Sequence, residues 1–209
     1  AVYEVFDHNT DGRRALKVML QSAFEDPELY ERFMREVKIA GSIESDHIVR
    51  VYDAGTDDET RMPFMVMELL EGEELAVLAK RQAMLQRPLP WPEILDYLAQ
   101  TARALDKVHA HPKKIVHRDL KPQNLFVTRR ENGEACIKVL DFGIAKIDTS
   151  DKTHTRELGT PKYMAPEQVR GQSKLISPAT DTYALGHIAY TLLAGEAYWT
   201  EEEKNAESA

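Results

Sequence analysis

One stretch gathers several chemistries within eight positions: His117-Arg118-Asp119-Leu120-Lys121-Pro122-Gln123-Asn124. A carboxylate, an ammonium and a carboxamide stand side by side there. Downstream come Asp141-Phe142-Gly143 and then Gly159-Thr160-Pro161-Lys162-Tyr163-Met164-Ala165-Pro166-Glu167. Upstream lie Ala15-Leu16-Lys17 and Glu36. Asn124 and Asp141 carry hard oxygen donors, the kind that Mg²⁺ prefers. Taken singly, the other residues have plain readings. Lys17 alone is a surface lysine on a strand, Glu36 a solvated helix carboxylate, and Thr160 a loop residue. His117 alone looks like a ligand or a base. Glu167 and Asp181 look catalytic by residue type.

The elements that must position these groups follow from periodicity and turn chemistry. Residues 2–6 and 13–20 read as strands around the turn Asn9-Thr10-Asp11-Gly12, where Asp-Gly supplies the positive φ angles of a hairpin. Asp26-Pro27 reads as a capped helix start, with the helix reaching about Ile43 and Leu29, Phe33, Val37 and Ala40 on one face. Residues 48–55 and 62–69 read as strands. A helix over 74–86 ends at Arg87-Pro88-Leu89-Pro90. Trp91-Pro92 starts a long helix to about His109, with Leu95, Leu98, Ala102, Leu105 and Val108 at helical spacing. Short strands are expected around Ile115, 125–127 and 137–140. Residues 147–158 read as a polar loop and 181–193 as a buried helix. Neither a repeat nor a low-complexity tract interrupts the pattern.

Bulk composition narrows the class. With 43% hydrophobic and 30% charged residues over 209 positions, the chain is globular and long enough for one domain or two small lobes. A formal charge of −8 argues against nucleic acid or an anionic membrane as the main partner. The single cysteine, Cys136, rules out an internal disulfide, fits a reducing cytoplasm and reads as inert core. No apolar run reaches the roughly 18–20 residues of a membrane span, and no signal peptide opens the sequence.

The ordered set of motifs resembles the protein kinase superfamily. The resemblance runs from Val2 to about Gly195. Ala165-Pro166-Glu167-Gln168-Val169-Arg170-Gly171 looks similar to the bacterial eukaryotic-like Ser/Thr kinases. It implies an α+β, two-lobed protein-kinase-like fold. The small lobe would be an antiparallel sheet with one helix (1–70), the large lobe mainly helical (71–209), and the join would fall near Leu70-Glu71-Gly72. The implied reaction is transfer of the ATP γ-phosphoryl group to Ser or Thr hydroxyls of protein substrates, with ATP and Mg²⁺ as cofactors, in the cytoplasm.

The resemblance also implies roles. Phosphoryl transfer passes through a loose transition state, so such a site mainly positions groups and screens charge. Asp119 would accept the substrate hydroxyl proton, and Lys121 would hold the γ-phosphate. Thr160 would bond both. Asn124 and Asp141 would ligate Mg²⁺. Lys17 would grip the α- and β-phosphates while Glu36 holds its ammonium. Val2 and Ala15 would cover one face of adenine and Phe126 the other. Met67 would be the gatekeeper, the backbone of Glu68 and Leu70 would meet the base edge, and Glu74 is a candidate for the ribose. His117 is expected to pack in a spine with Phe142, with Ala40 as a small member, and Asp181 to anchor the catalytic loop. Arg118 beside Asp119 implies regulation by activation-loop phosphorylation at Thr153 and Thr155, with Thr149 and Ser150 as secondary positions and Lys146 near the phosphate.

Two parts of the family pattern are missing from the sequence. The Gly-rich loop would immediately precede Ala1, and helices supplying an arginine for Glu167 would follow Trp199. Glu167 is therefore expected to be a buried charge without its partner, and the 209 residues alone to be weakly active. The rival reading is an inactive, pseudokinase-type binding scaffold. The presence of Lys17, Glu36, Asp119, Asn124 and Asp141 argues against it.

Overall fold

Two strands that pair across a tight turn open the chain. In this computed structural model, β1 (Val2–Asp7) and β2 (Gly12–Val18) form an antiparallel hairpin. Asp11 takes the left-handed conformation, with φ of 50°, while Gly12 already belongs to β2. The structure describes residues 1–8, 10–19, 27–141 and 161–196. Asp26, Lys146, Thr149, Ser150, Thr153, Thr155, Thr160, Phe142 and Gly143 lie outside these residues, as do the side chains of Leu29 and Glu36.

Helix α1 (Pro27–Ala40) follows, then β3 (Val51–Thr56) and β4 (Pro63–Glu68). These strands complete a four-stranded antiparallel sheet in the order β1-β2-β4-β3. Phe33 and Val37, one turn apart on α1, pack with Met65 of β4. The helix ends at Ala40, short of Ile43. There the Gly41 N–H bonds Val37 O, and Ser42 Oγ donates to Ile39 O. The strand expected from Ile48 begins only at Val51. Residues 47–49 instead run beside a strand of the second sheet, as described below.

That second sheet is small: β5 (Gly72–Glu74), β6 (Leu125–Arg129) and β7 (Ala135–Val139), antiparallel in that order. β5 was not expected, because Glu74 read as the first residue of a helix. Gly72 has φ of 147°, and a Cβ there would lie 2.0 Å from Val127 O. Only glycine allows the strand to approach β6 so closely. Helix α2 (Leu75–Met84) starts directly after it. Ile115, expected in a strand, is buried but lies outside any strand.

The large core lies under this sheet and around α3 (Trp91–His109) and α5 (Pro178–Ala194). Short α4 (Pro166–Val169) precedes α5. The buried stripe of α3 is Ile94, Tyr97, Thr101, Ala104, Leu105 and Val108, and Leu95 is 45% exposed. The expected stripe began one residue late, because two of the inward positions are polar. Thr101 Oγ1 donates to Tyr97 O at 2.8 Å, and Gln100 serves β7 by accepting from Ile137 N at 2.8 Å and donating to Ala135 O at 3.1 Å. A reading that scores only apolar residues passes over buried polar groups satisfied in this way.

Contacts between the two sheets are specific. Val49 N donates to Val139 O at 3.1 Å, and Val139 N donates to His47 O at 2.8 Å, a parallel bridge centred on Ile48. Glu68, at the end of β4, accepts from Arg50 N and from Lys138 Nζ of β7, both at 2.7 Å. Cys136 is buried beneath the bridge, and burial pushes its thiol pKa up, in keeping with an inert core residue.

The corrected stripe on α3 has a measurable consequence. Ile94→Ala should cost about 2–5 kcal/mol in urea unfolding. Leu95→Ala should stay within about 0.5 kcal/mol of the parent. Equal losses would place the stripe back on Leu95.

Candidate active site

The site begins with an anchor. Asp181 sits in the first turn of α5 and is 1% exposed. Its Oδ2 accepts from His117 N at 2.8 Å, and its Oδ1 accepts from Arg118 N at 2.9 Å. His109, the last residue of α3, places Nε2 2.7 Å from Oδ2. Burial alone would raise this carboxyl's pKa. The His109 bond, the nearby His117 ring and the two backbone donors outweigh that and hold it below its ordinary 3.8. The positive end of the α5 dipole favours the same charge.

The loop held this way carries the polar string. His117 is fully buried; its Nε2 lies 3.0 Å from Leu140 O, and its Nδ1 accepts from Asp119 N at 3.3 Å. These partners fit the tautomer protonated at Nε2. Both ring nitrogens therefore hold backbone, in line with a packing role. Arg118 has φ of 66°, left-handed backbone that costs a non-glycine residue about 1–2 kcal/mol. Asp119 Oδ2 receives Lys121 Nζ at 3.0 Å and Asn124 Nδ2 at 3.1 Å. Asn124 Nδ2 also donates to Asp119 O at 2.7 Å. Pro122–Asn124 form a 3₁₀ turn that leads straight into β6.

Leu140 N bonds Asn124 O at 2.9 Å, which brings Asp141 alongside this loop. Asp141 has φ of 44° and a half-exposed carboxylate. Lys17 reaches it from the first sheet, Nζ to Oδ1 at 2.6 Å. The structure thus brings Lys17, Asp119, Lys121, Asn124 and Asp141 to one place. Glu36 is carried by α1, which packs on the same sheet, but its side chain falls outside the described residues.

The expected nucleotide residues sort by strand register. Val2 pairs Lys17, Lys17 pairs Met65, and Ala15 pairs Met67. Directly paired residues share a face, and so do residues two apart along a strand. Val2, Ala15, Lys17 and Met67 therefore line one face of the first sheet. Ala15 is buried and Val2 is 57% exposed. In the second sheet Glu74 pairs Phe126. Leu70 lies in the irregular link between the sheets, and the Glu68 N–H is engaged by Arg50 O at 2.9 Å.

Glu167 departs from expectation. It is half-buried, and its Oε1 accepts from Thr180 Oγ1 at 2.6 Å, so it is not an unpartnered buried charge. Motif reading also passed over Gln168 and His109, which both bond the loop or its anchor. His109 carried no signal beyond its place at a helix end. Gln168 did carry one, as a glutamine at the third helical position after Pro166, where a side chain can reach back to the residue before the helix.

A model of the protein kinase domain matches residues 1–209. The chain belongs to the protein kinase family. As a kinase domain it is similar to the Ser/Thr-protein kinase Pkn1 of Myxococcus xanthus, 38% identical over 206 residues, covering 97% of this chain and 28% of that protein. PknA of Mycobacterium tuberculosis is 38% identical over 200 residues, 93% of this chain and 44% of the relative. PrkC of Bacillus subtilis is 37% identical over 196 residues, 93% and 28%. The kinase domain therefore spans less than half the length of these curated relatives. Among solved structures, the kinase domain of Mycobacterium tuberculosis PknI aligns with a TM-score of 0.71 at 30% identity, covering 94% of this chain and 69% of that one. The expected fold, an antiparallel-sheet lobe joined to a mainly helical one, is that of the family. No helix among the described residues is long and apolar enough to cross a membrane.

Removing the anchor charge should destabilise the domain. Asp181→Asn should cost about 3 kcal/mol or more at pH 7. The folded pKa is lowered, so the carboxylate's contribution is complete above 3.8 and fades as pH falls through the folded value. Denaturation against pH should show the gap between parent and variant closing below about pH 4. A gap that is constant with pH would refute the assignment.

Proposed function

We propose that this domain transfers the γ-phosphoryl group of ATP to Ser or Thr hydroxyls of proteins. The observation that carries the reading is the junction of Lys17 with Asp141 at 2.6 Å beside an Asp119 that is bonded to both Lys121 and Asn124. One strand, one loop and the segment after β7, far apart in sequence, converge there on phosphate-compatible cations and metal-compatible oxygens.

The donor set suits Mg²⁺. Asn124 makes its bonds to Asp119 through Nδ2, which turns its carbonyl oxygen away from them. Asp141 offers a half-exposed carboxylate next to it. These two residues would hold the ion, and the ion would screen charge on the phosphates. Lys17 orients the α- and β-phosphates by exchanging its bond to Asp141 for phosphate oxygens. Lys121 neutralises the γ-phosphoryl group as it moves. Asp119 aligns the substrate hydroxyl and takes its proton at the carboxylate. Val2, Ala15, Met67 and Phe126 enclose adenine, the backbone of Glu68 and Leu70 meets its edge, and Glu74 bonds the ribose. Because the Glu68 N–H is already engaged, a base contact at Glu68 falls to its carbonyl.

We further propose a small lobe over 1–70 and a large lobe over 71–209, a cytoplasmic site of action, and switching by phosphorylation of Thr153 and Thr155. Arg118, next to Asp119, is the cation such a phosphate would pair with.

Two tests follow. Phosphate transfer from radiolabelled Mg-ATP to a Ser/Thr protein substrate by the full gene product should fall at least about a thousandfold in Asp119→Asn and Lys17→Met, while nucleotide binding persists in the former. Binding of ATP with no transfer by the parent would instead support a scaffold. Joint replacement Thr153→Ala and Thr155→Ala should lower the rate about tenfold or more. An unchanged rate would remove these residues from regulation.

A further inference from the structure

The backbone immediately before Asp119 is held by Asp181 and Gln168, both remote in sequence, and by the ring of His117. The Arg118 N–H is taken by Asp181 at 2.9 Å. The peptide unit joining Arg118 to Asp119 is held at both ends. Its N–H points to His117 Nδ1 at 3.3 Å, and its carbonyl accepts from Gln168 Nε2 at 2.7 Å. That peptide plane sets the direction of the Asp119 Cα–Cβ bond. It follows a residue in left-handed backbone, which persists only where its surroundings over-determine it.

Gln168 comes from α4, not from the loop or from α5. Its other amide atom is also used: Oε1 accepts from Ala165 N at 3.1 Å. With an N–H at one end and a carbonyl at the other, the orientation of the amide is unambiguous. Ala165 has no side-chain acceptor, so only the glutamine half of a capping box is made. The same side chain therefore caps α4 and clasps the loop. Gln168 and Asp119 also line one small pocket together with Lys121, Tyr163, Met164 and Asp181.

We propose that Gln168 is a positioning residue for phosphoryl transfer, fixing the aim of Asp119 by clasping the Arg118 carbonyl to the start of α4. The proposal rests on the kinase reading above. It makes the placement of the base depend on the placement of the Ala165-Pro166-Glu167 segment. If that segment shifts, the Arg118 carbonyl loses this donor, and the peptide before Asp119 is held less tightly.

The test uses the full gene product and separates the clasp from the cap. Gln168→Glu keeps an acceptor for Ala165 N and offers no donor to the Arg118 carbonyl. Gln168→Met removes both bonds at similar volume. Both should lower kcat by between about tenfold and a hundredfold, since a small misplacement of a reacting group costs that much. The KM for ATP should change by less than about twofold, because the nucleotide contacts lie elsewhere. Amide hydrogen exchange of the peptide spanning 117–124 should speed up in both, with α5 unchanged. Wild-type kcat and exchange in Gln168→Glu would overturn the proposal, leaving Gln168 as a helix cap. If Gln168→Met does not fold, Gln168→Glu still decides; if Gln168→Glu does not fold, wild-type kcat and exchange in Gln168→Met would overturn the proposal, and slowed turnover with faster exchange confined to 117–124 would support it. If the parent itself transfers no phosphate, the kinase reading fails, and the exchange measurement still reads the clasp.

Discussion

A carboxylate almost wholly removed from water must be satisfied completely or it destabilises the fold. Asp181 meets that demand with two backbone N–H groups of one loop and the imidazole of His109. The loop residues consequently have little freedom in where they stand. Desolvation would cost several kcal/mol if any partner left. The strained backbone at Arg118 is held against that same energy. Asp119, Lys121 and Asn124 inherit their positions from this buried charge, and β6 is launched from the 3₁₀ turn that follows.

The second constraint runs between the sheets. Residues 47–49 pair with Val139, and Glu68 bonds Lys138, so the first sheet is tied to the second at two separate places. Lys17 adds a third tie through Asp141, of a different kind: it is partly exposed and joins groups that both suit phosphate chemistry. A bond of this sort can be traded for another. The bridge at Val139, buried around Ile48 and Val49, cannot be traded without leaving polar groups bare.

Much of this was legible in the sequence, for physical reasons. Short motifs concentrate residues whose chemistry is unusual in a strand end or a tight loop. They located Asp119, Lys121, Asn124, Asp141 and Lys17 before any coordinates, and the structure brings those five together. Periodicity gave the extent of α3, a long amphipathic helix that repeats its pattern many times, and a long apolar run gave most of α5. The misses have a common cause. β5 is three residues long, and its reason for existing is the approach of Gly72 to Val127, a contact with no local signature. The buried face of α3 includes Gln100 and Thr101, whose burial depends on partners elsewhere in the fold or one turn back. Ile48 and Val49 look like the start of β3 because they are apolar, yet residues 47–49 bond a strand some ninety residues away. Glu167 read as a charge lacking an arginine, and the hydroxyl that meets it comes from the next helix.

The first two of these ties also define a line. One passes through Ile48 and Val139, the other through Glu68 and Lys138, and both lie at the β7 side of the first sheet. A body fastened along a line keeps one easy motion, which is rotation about it. β1 is the outer strand of the sheet, with β2 and β4 between it and β3. It therefore has the longest lever arm, while Met67 and Glu68 scarcely move. Rotation about that line would shift Val2 and Lys17 relative to the Asp141 carboxylate more than it would shift Met67 and Glu68. The same rotation would make or break the Lys17–Asp141 bond while the ties to β7 hold.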